Sequence, residues 1–244
     1  MNIVITGRSG RMGIAVAEAA EQHPQARVHG THDAGEELLP LLREADAIID
    51  FTIHSFTPRL AEDALATSTP LVIGTTGHDK QELAVIEAAS AVIPIVFAPN
   101  YSVGVNTLFW LTRHATRILG NDRFDIEVTE MHHRHKIAAP SGTARRLLEI
   151  LNEETETSYE DDVAHGRTGI TGARPGPQIG MHSLRGGDVV GDHTVMFAAD
   201  GERVELTHKA SSRMTFASGA VRAAIWLGDK PAGLYDMQDV LNLK

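Results

Sequence analysis

One segment of the chain concentrates the side chains that are best suited to acid–base chemistry on an anion. It reads EVTEMHHRHKIAAPSGTARRLL, and residues 132–136 within it are three histidines, an arginine and a lysine. In a chain whose formal net charge is −10, such a cluster predicts a local anion-binding site. A Pro-Ser-Gly-Thr turn follows and opens a predicted helix, whose N–H groups near Gly142 and Thr143 are suited to receive a carboxylate. The alternative is that Ser141 serves only as the N-cap of that helix.

The three histidines also raise the alternative of a metal site. If a strand continued through them, His133 and His135 would share a face and His132 would point away. Their spacing is not the i, i+4 spacing of a helical metal motif, and Arg134 and Lys136 would repel a divalent cation. The chain has no cysteine, which excludes disulfides, thiolate metal sites and a cysteine nucleophile. We therefore expect no metal.

A second chemical motif lies at the start of the chain. NIVITGRSGRMG places Gly7, Gly10 and Gly13 where a predicted strand turns into a predicted helix, so that backbone N–H groups can approach a phosphate. Asp33 follows Gly13 by 20 residues, at the end of the next predicted strand, where a carboxylate can bind the adenosine ribose. The combination predicts dinucleotide binding, and the alternative is a tight turn that binds nothing.

The choice between NADH and NADPH stays open at this point. Asp33 favours the unphosphorylated ribose of NADH, whereas Arg8 and Arg11 beside the glycines could pair with the 2′-phosphate of NADPH. Two later loops, GTTG at 74–77 and APNYS at 98–102, follow predicted strands and suit the nicotinamide and its ribose. Either loop could also be an ordinary turn.

Two patterns of hydrophobic residues position these motifs. Short runs rich in Val, Ile and Ala alternate with helical segments over the first hundred residues, which predicts a doubly wound parallel sheet. After Gly104 the pattern changes: FDIEVTEM alternates apolar and polar residues, and HTVMFAADGERVELTHKA predicts a hairpin near residues 200–201. We therefore expect an α/β fold with a Rossmann-type domain at 1–103 and 213–244. A second α+β domain at 104–212 is expected to have a mostly antiparallel or mixed sheet. The glycine-rich stretch 157–187 is expected to fold over a site or an interface.

Composition limits the class of partner. Hydrophobic residues make up 42% of the chain and charged residues 22%, as in ordinary globular proteins, and the net charge of −10 disfavours nucleic acid as a partner. No apolar run reaches the ~18 residues of a membrane span, and no leader-like segment precedes the first strand. The expected setting is cytoplasmic, with no membrane partner.

Several motifs in the same order carry a family resemblance across nearly the whole chain. They are GRSGRMG, DFT at 50–52, GTTG, APNYSVGV, the histidine segment, RGGDVVGDHTVMF and HKASSRMTFASGAVRAAIWL. With these motifs the chain resembles the dihydrodipicolinate reductase (4-hydroxy-tetrahydrodipicolinate reductase) family of bacterial lysine and diaminopimelate synthesis. The resemblance implies reduction of dihydrodipicolinate to tetrahydrodipicolinate by NADH or NADPH. It also implies a homotetramer built through the sheet of the second domain.

The resemblance also implies roles for residues. His132 would be the catalytic proton donor and Lys136 would assist it, while His133, Ser141, Gly142 and Thr143 would bind the dicarboxylate heterocycle. Together with the motifs described above, it gives a cofactor site made of Gly7, Arg8, Gly10, Arg11, Met12, Gly13, Asp33, Phe51, Gly74, Thr75, Thr76, Ala98, Asn100, Tyr101, Arg213 and Phe216.

The chemistry that the resemblance implies needs a proton donor near neutral pH. A cyclic imine that accepts hydride must also accept a proton, and we expect His132 to supply it. Substrate carboxylates would raise the pKa of His132 while Lys136 and Arg134 would lower it, which predicts a pKa near neutrality.

One departure from the family pattern is Ala138, which stands where an aspartate is usual.

Two other functions remain as alternatives. The first is another imino-acid or keto-acid dehydrogenase, similar to aspartate dehydrogenase. The second is a non-catalytic dinucleotide sensor, although a sensor has no need of His132 and Lys136.

Overall fold

The computed structural model describes residues 1–244, which form eleven strands and nine α-helices. The strands are β1 (Asn2–Thr6), β2 (Arg27–His32), β3 (Ala47–Asp50), β4 (Leu71–Ile73), β5 (Pro94–Phe97), β6 (Asp125–His132), β7 (Val163–His165), β8 (Ile179–Arg185), β9 (Gly191–Ala199), β10 (Glu202–Ala210) and β11 (Gly233–Tyr235). The helices are α1 (Arg11–Gln22), α2 (Leu39–Leu42), α3 (Thr57–Thr67), α4 (Lys80–Ser90), α5 (Val103–Leu119), α6 (Gly142–Thr155), α7 (Tyr159–Asp162), α8 (Met214–Leu227) and α9 (Met237–Val240). The backbone divides into two units, residues 1–103 with 213–244 and residues 104–212. None of the helices is long and apolar enough to cross a membrane.

The first unit contains a six-stranded sheet in the order β11-β5-β4-β3-β1-β2, and every neighbouring pair is parallel. Its central strands are almost continuously apolar because both faces are covered. Ile3 and Ile5 of β1 pack with α1 and α8 on one face, and Val4 packs with α3 on the other. Because β2 and β3 lie on opposite sides of β1, the carboxyl ends of β1 and β3 form the switch point where open α/β sheets bind ligands.

The second unit contains a five-stranded mixed sheet in the order β10-β9-β6-β8-β7. β6 pairs antiparallel with β9 and parallel with β8. Helices α5 and α6 cover one face, where Leu147 and Leu151 of α6 join Ile126 and Val128 of β6 in the core. The expected α/β class is thus confirmed, with its Rossmann-type parallel sheet and its second, mixed sheet.

The stretch 157–187 contains more regular structure than its glycines indicated. It forms α7, β7 and β8, and β8 buries Ile179 and Met181 beside β6. The glycines did not indicate β8, because the partner that orders this strand lies about 50 residues earlier in the chain. That the stretch folds over a site or an interface stays a prediction. The loop between β7 and β8 is held to β6 through Glu127, which accepts hydrogen bonds from Arg167 and Arg174.

Candidate active site

His132 lies at the last position of β6, on the buried face of the strand. Residues two apart share a face of a strand, so His132 follows Val128 and Glu130 toward α6 rather than toward solvent. His132 is 7% exposed, and its Nδ1 lies 2.5 Å from Oε2 of Glu130. A histidine and a fully buried carboxylate therefore form a pair at the end of this strand.

Glu130 is held from several directions. The Arg185 guanidinium donates to both carboxylate oxygens, at 2.9 and 2.8 Å, and the backbone N–H of Ser141 donates to Oε1 at 3.2 Å. Burial alone would raise the pKa of Glu130, but hydrogen bonds from Arg185 and His132 outweigh it and hold the pKa below its ordinary value. Glu130 is thus an ionised carboxylate inside the protein.

The electrostatics of His132 differ in part from the sequence expectation. Burial lowers the pKa of His132 below its ordinary value; the hydrogen bond to Glu130 opposes this, while the charges of Lys136 and Arg185 reinforce it. The expectation that Arg134 contributes is wrong, because Arg134 is exposed and Arg185, 53 positions from His132 in the sequence, occupies that role. The pKa of His132 is thus lowered in the protein without substrate, and a pKa near neutrality in the substrate complex stays a prediction.

Lys136 is a second cation, after Arg185, near the pair of Glu130 and His132. Burial lowers the pKa of Lys136, and Arg185 lowers it further, while Glu130 opposes them.

The rings of His133 and His135 lie 6.2 Å apart, and no group of three His, Asp or Glu side chains in the chain is arranged to hold a metal ion. β6 ends at His132, so His133 and His135 do not share a strand face.

The Pro-Ser-Gly-Thr turn opens α6 as predicted. Ser141 is its N-cap, and the hydroxyl accepts from the backbone N–H of Ala144 at 3.2 Å. Gly142 is exposed with open space around it, and the first turn of α6, which includes Thr143, carries no acidic side chain. Ser141 is thus confirmed as the N-cap. The anion-binding role of the turn stays a prediction, which a helix N-terminus without acidic side chains favours.

Sequence analysis missed His193, which packs against this site from β9. Its ring meets the His132 ring edge-on at a centroid distance of 5.2 Å, and its Nε2 lies 3.2 Å from the Ser141 hydroxyl. Burial, followed by the charge of His132, lowers the pKa of His193 to about 3, so this ring is neutral. The sequence held one indication of His193, since this residue lies within RGGDVVGDHTVMF, one of the motifs that carry the family resemblance.

The glycine motif of the first unit forms a cradle at the N-terminus of α1. Gly7 has φ of +77°, and a Cβ on Gly13 would lie 2.1 Å from the Gly7 carbonyl oxygen. Gly10 is the N-cap, with no side-chain cap and no acidic residue in the first turn, where Arg11 and Met12 lie. The backbone geometry therefore requires glycine at Gly7 and Gly13 and fits a phosphate.

The adenosine end of the motif includes a carboxylate and an ion pair. The Ser9 N–H donates to the Asp33 carboxylate at 3.2 Å, and Arg8 pairs with both Asp33 and Glu36. In the structure two carboxylates engage Arg8, and its pairing with a 2′-phosphate stays a prediction. Arg11 is exposed and makes no ion pair in the structure.

Asp50 organises the loops at the switch point, a role that sequence analysis did not assign. It is fully buried and accepts hydrogen bonds of 2.6 to 2.7 Å from the hydroxyls of Thr6, Thr52 and Thr75. These threonines end β1 or follow β3 and β4. One carboxylate therefore ties together the carboxyl ends of β1, β3 and β4.

The remaining predicted cofactor residues fall into two groups. Phe51 fills the space beside Gly74, since a Cβ on Gly74 would lie 2.1 Å from the Phe51 ring. Tyr101 is buried and its hydroxyl donates to the carbonyls of Ile73 and Val96, so it supports the sheet from inside. The others lie on loops after β4 and β5 or at the start of α8: Thr76, Ala98, Asn100, Arg213 and Phe216.

Comparisons with known proteins agree along the whole chain. A family model described as dihydrodipicolinate reductase, N-terminus, matches residues 1–101, and one described as dihydrodipicolinate reductase, C-terminus, matches residues 104–241. The 4-hydroxy-tetrahydrodipicolinate reductase of Akkermansia muciniphila is 63% identical over 243 residues, covering 100% of this chain and 98% of that protein. The protein of the same name from Magnetococcus marinus is 46% identical over 268 residues, covering 100% and 99%.

A solved structure shares the fold. Dihydrodipicolinate reductase from Paenisporosarcina sp. TG-14, solved with dipicolinate bound, superposes with a TM-score of 0.79 at 20% identity and covers 98% of each chain. At this identity the likeness supports the fold alone.

Proposed function

Because the chain belongs to the dihydrodipicolinate reductase family, we propose that it reduces dihydrodipicolinate, formed from 4-hydroxy-tetrahydrodipicolinate, to tetrahydrodipicolinate. The family models and the similar reductases confirm the family resemblance that the motifs indicated. The protein is an oxidoreductase of lysine and diaminopimelate biosynthesis, and it uses NADH or NADPH. The family match favours this activity over both alternatives, the aspartate dehydrogenase-like enzyme and the sensor.

The observation that carries the proposal is the buried pair of Glu130 and His132 beside Lys136. An ionised carboxylate only accepts hydrogen bonds, so the Nδ1 of His132 is the donor to Glu130. The other ring nitrogen, Nε2, makes no hydrogen bond within the protein. This nitrogen is therefore the one that can deliver a proton to a substrate.

The charges around His132 suit a substrate with two carboxylates. Lys136 and the N-terminus of α6 at Gly142 and Thr143 attract anions, and His133 lies next to His132 in the chain. A bound dicarboxylate would raise the pKa of His132, which burial lowers in its absence, and so bring the proton donor nearer neutrality. Substrate binding and readiness of the acid are thereby coupled.

The dinucleotide, when bound, supplies the hydride. The glycine cradle and the N-terminus of α1 would hold its pyrophosphate, and Asp33 would accept hydrogen bonds from its ribose. Phe51, Gly74, Thr75, Thr76, Ala98, Asn100 and Tyr101 belong to the loops after β3, β4 and β5, and we assign these loops to the nicotinamide end. Substrate binding favours the imidazolium form of His132, which carries a proton on both ring nitrogens. After hydride addition this imidazolium gives its Nε2 proton to the substrate and returns to the neutral Nδ1–H form, while Lys136 holds a carboxylate.

The test is the initial rate of NADH and NADPH oxidation on freshly generated dihydrodipicolinate, compared with oxaloacetate plus ammonia. We expect turnover on the cyclic substrate only, and a fall of kcat in His132→Gln with little change in KM. Turnover on oxaloacetate would favour the dehydrogenase alternative. Cofactor binding without turnover on either substrate would favour the sensor.

The assembly and the cellular setting remain proposals. We propose a homotetramer through the sheet of the second unit, supported by the half-exposed face of β6 that carries Glu127, Thr129 and Met131. Sedimentation equilibrium tests it, and a monomer would refute it. A cytoplasmic location is proposed from the biosynthetic role and is tested by cell fractionation.

A further inference from the structure

We propose that Glu130, clamped by Arg185, is a positioning residue that keeps a proton on Nδ1 of His132 and so directs Nε2 to the substrate. The kinetic part of this inference rests on the proposed function. Glu130 itself does not touch the substrate; it acts through the imidazole ring.

The Glu130 carboxylate is held in one orientation by its hydrogen bonds. Its Oε1 accepts from the Ser141 N–H and from Arg185, and its Oε2 accepts from Arg185 and from His132. With both oxygens engaged and no exposure to solvent, the side chain has a single orientation.

Arg185 connects Glu130 to the turn after β6. Its guanidinium and Nε also donate to the backbone carbonyls of Leu184, Lys136 and Ala138. Arg185 therefore links the carboxylate to the segment that carries Lys136. The bond to the Ala138 carbonyl does not depend on the side chain at 138, so this link persists although the usual aspartate is absent.

His193 and Gly191 lie beside the His132 ring on its other sides. The His193 ring packs against it edge-on, and a Cβ on Gly191 would lie 3.0 Å from Nε2. Because Gly191 has no side chain, Nε2 keeps its space. The hydrogen bond to Glu130 is then the interaction that decides which nitrogen carries the proton in the neutral ring.

The charged and titratable groups facing His132 come from each neighbouring element. They are Glu130 on β6, Arg185 on β8, His193 on β9 and Lys136 on the turn after β6. Of these, Glu130 is the only anion. Its removal therefore destabilises the imidazolium and, at the same time, releases the Nδ1 proton.

Glu130→Gln tests this inference with a readout that does not depend on activity. A glutamine amide that keeps its oxygen toward Arg185 presents its N–H₂ to Nδ1, so the neutral ring should change to the Nε2–H tautomer. We expect ¹⁵N NMR of His132 in the protein without substrate to show Nδ1–H in wild type and in Glu130→Asp, and Nε2–H in Glu130→Gln. Glu153→Gln, which changes an exposed carboxylate at the surface of α6, should leave the His132 spectrum unchanged.

Kinetics provide the second readout. We expect Glu130→Gln to lower kcat about 10- to 100-fold and to move the high-pH limb of kcat/KM down by about one unit, with partial rescue in Glu130→Asp. Glu153→Gln should change neither kcat nor the pH profile. A wild-type ring in the Nε2–H tautomer, or an unchanged pH profile in Glu130→Gln, would overturn the inference.

The failure of this inference is separable from failure of the proposed function. If the tautomers behave as expected but wild type does not reduce dihydrodipicolinate, the positioning role stands and the activity falls. If wild type turns over and its ring is Nε2–H, the activity stands and the positioning role falls. If circular dichroism shows that Glu130→Gln does not fold, the ¹⁵N spectrum of wild type alone tests the inference. An Nδ1–H ring would support it and an Nε2–H ring would overturn it.

Discussion

Glu127→Gln should destabilise the second unit in a strongly pH-dependent way. Glu127 lies on β6 facing away from the core and accepts hydrogen bonds from Arg167, Arg174 and His182. A Cβ on Gly180 would overlap the Glu127 carboxylate, at 1.8 Å from Oε2, so the neighbouring strand leaves space for this side chain. The cluster joins β6 to β8 and to the loop before it, and the carboxylate is its only anion in contact with all three donors.

The magnitude follows from the pKa of the carboxyl. Burial alone would raise it, but hydrogen bonds from Arg167, His182 and Arg174 lower the pKa of Glu127 from 4.5 to about 2. Since one pKa unit corresponds to 1.36 kcal/mol, this difference of about 2.5 units is worth about 3.4 kcal/mol above the unfolded pKa. Glutamine keeps some of these hydrogen bonds, so we expect a loss of about 2 to 3 kcal/mol at pH 7.

The sign of the pH effect is fixed by the direction of the shift. Because the folded pKa of Glu127 is depressed, its stabilisation is complete well above pH 4.5 and is lost as the pH falls toward 2. At pH 4 wild type should already have lost about 0.8 kcal/mol of this contribution, whereas Glu127→Gln has no carboxyl to titrate at this position.

Urea unfolding of both proteins at pH 7, 5.5 and 4 measures this difference, with fluorescence and circular dichroism as probes. Glu153→Gln is a suitable control, because that carboxylate is largely exposed and pairs with Arg113 and Arg146 at the surface. A Glu127→Gln protein as stable as wild type at pH 7, or a difference that grows on acidification, would refute the reasoning.

Three further substitutions test the binding sites. Gly13→Ala places a methyl group 2.1 Å from the Gly7 carbonyl oxygen, so saturable NADH binding, followed by nucleotide fluorescence, should be lost; retained affinity would exclude the cradle. Asp33→Ser removes an anion from the ribose position, and the ratio of kcat/KM for NADPH to that for NADH should rise about tenfold, whereas an unchanged ratio would place the 2′-position elsewhere. Thr143→Val should raise KM for dihydrodipicolinate about tenfold at constant kcat, and a fall in kcat alone would contradict a binding role.

The parts of the site that are local in sequence were predictable. The spacing of Gly7, Gly10 and Gly13 encodes a turn whose geometry depends on about ten consecutive residues. Ser141 and the helix that it caps are equally local. The alternation in β6 also held the signal for Glu130 and His132, because both continue the face that starts with Ile126.

The parts that depend on distant pairing were not predictable from one sequence. Arg185 reaches His132 because β8 pairs in parallel with β6, and this register places the two residues opposite each other. His193 arrives opposite Glu130 from the antiparallel neighbour β9. Without the order of strands in the sheet, neither residue could be connected to the histidine segment, and Arg134 was the nearer but incorrect choice.

The central claim is that residues 132–143 form the dicarboxylate site, and a crystal structure with pyridine-2,6-dicarboxylate tests it most directly. We predict one carboxylate at the first turn of α6, near Gly142 and Thr143, with Lys136 also in contact with the ligand and the ring beside Nε2 of His132. Density for the ligand elsewhere on the protein, with His132 and the start of α6 unliganded, would contradict the account.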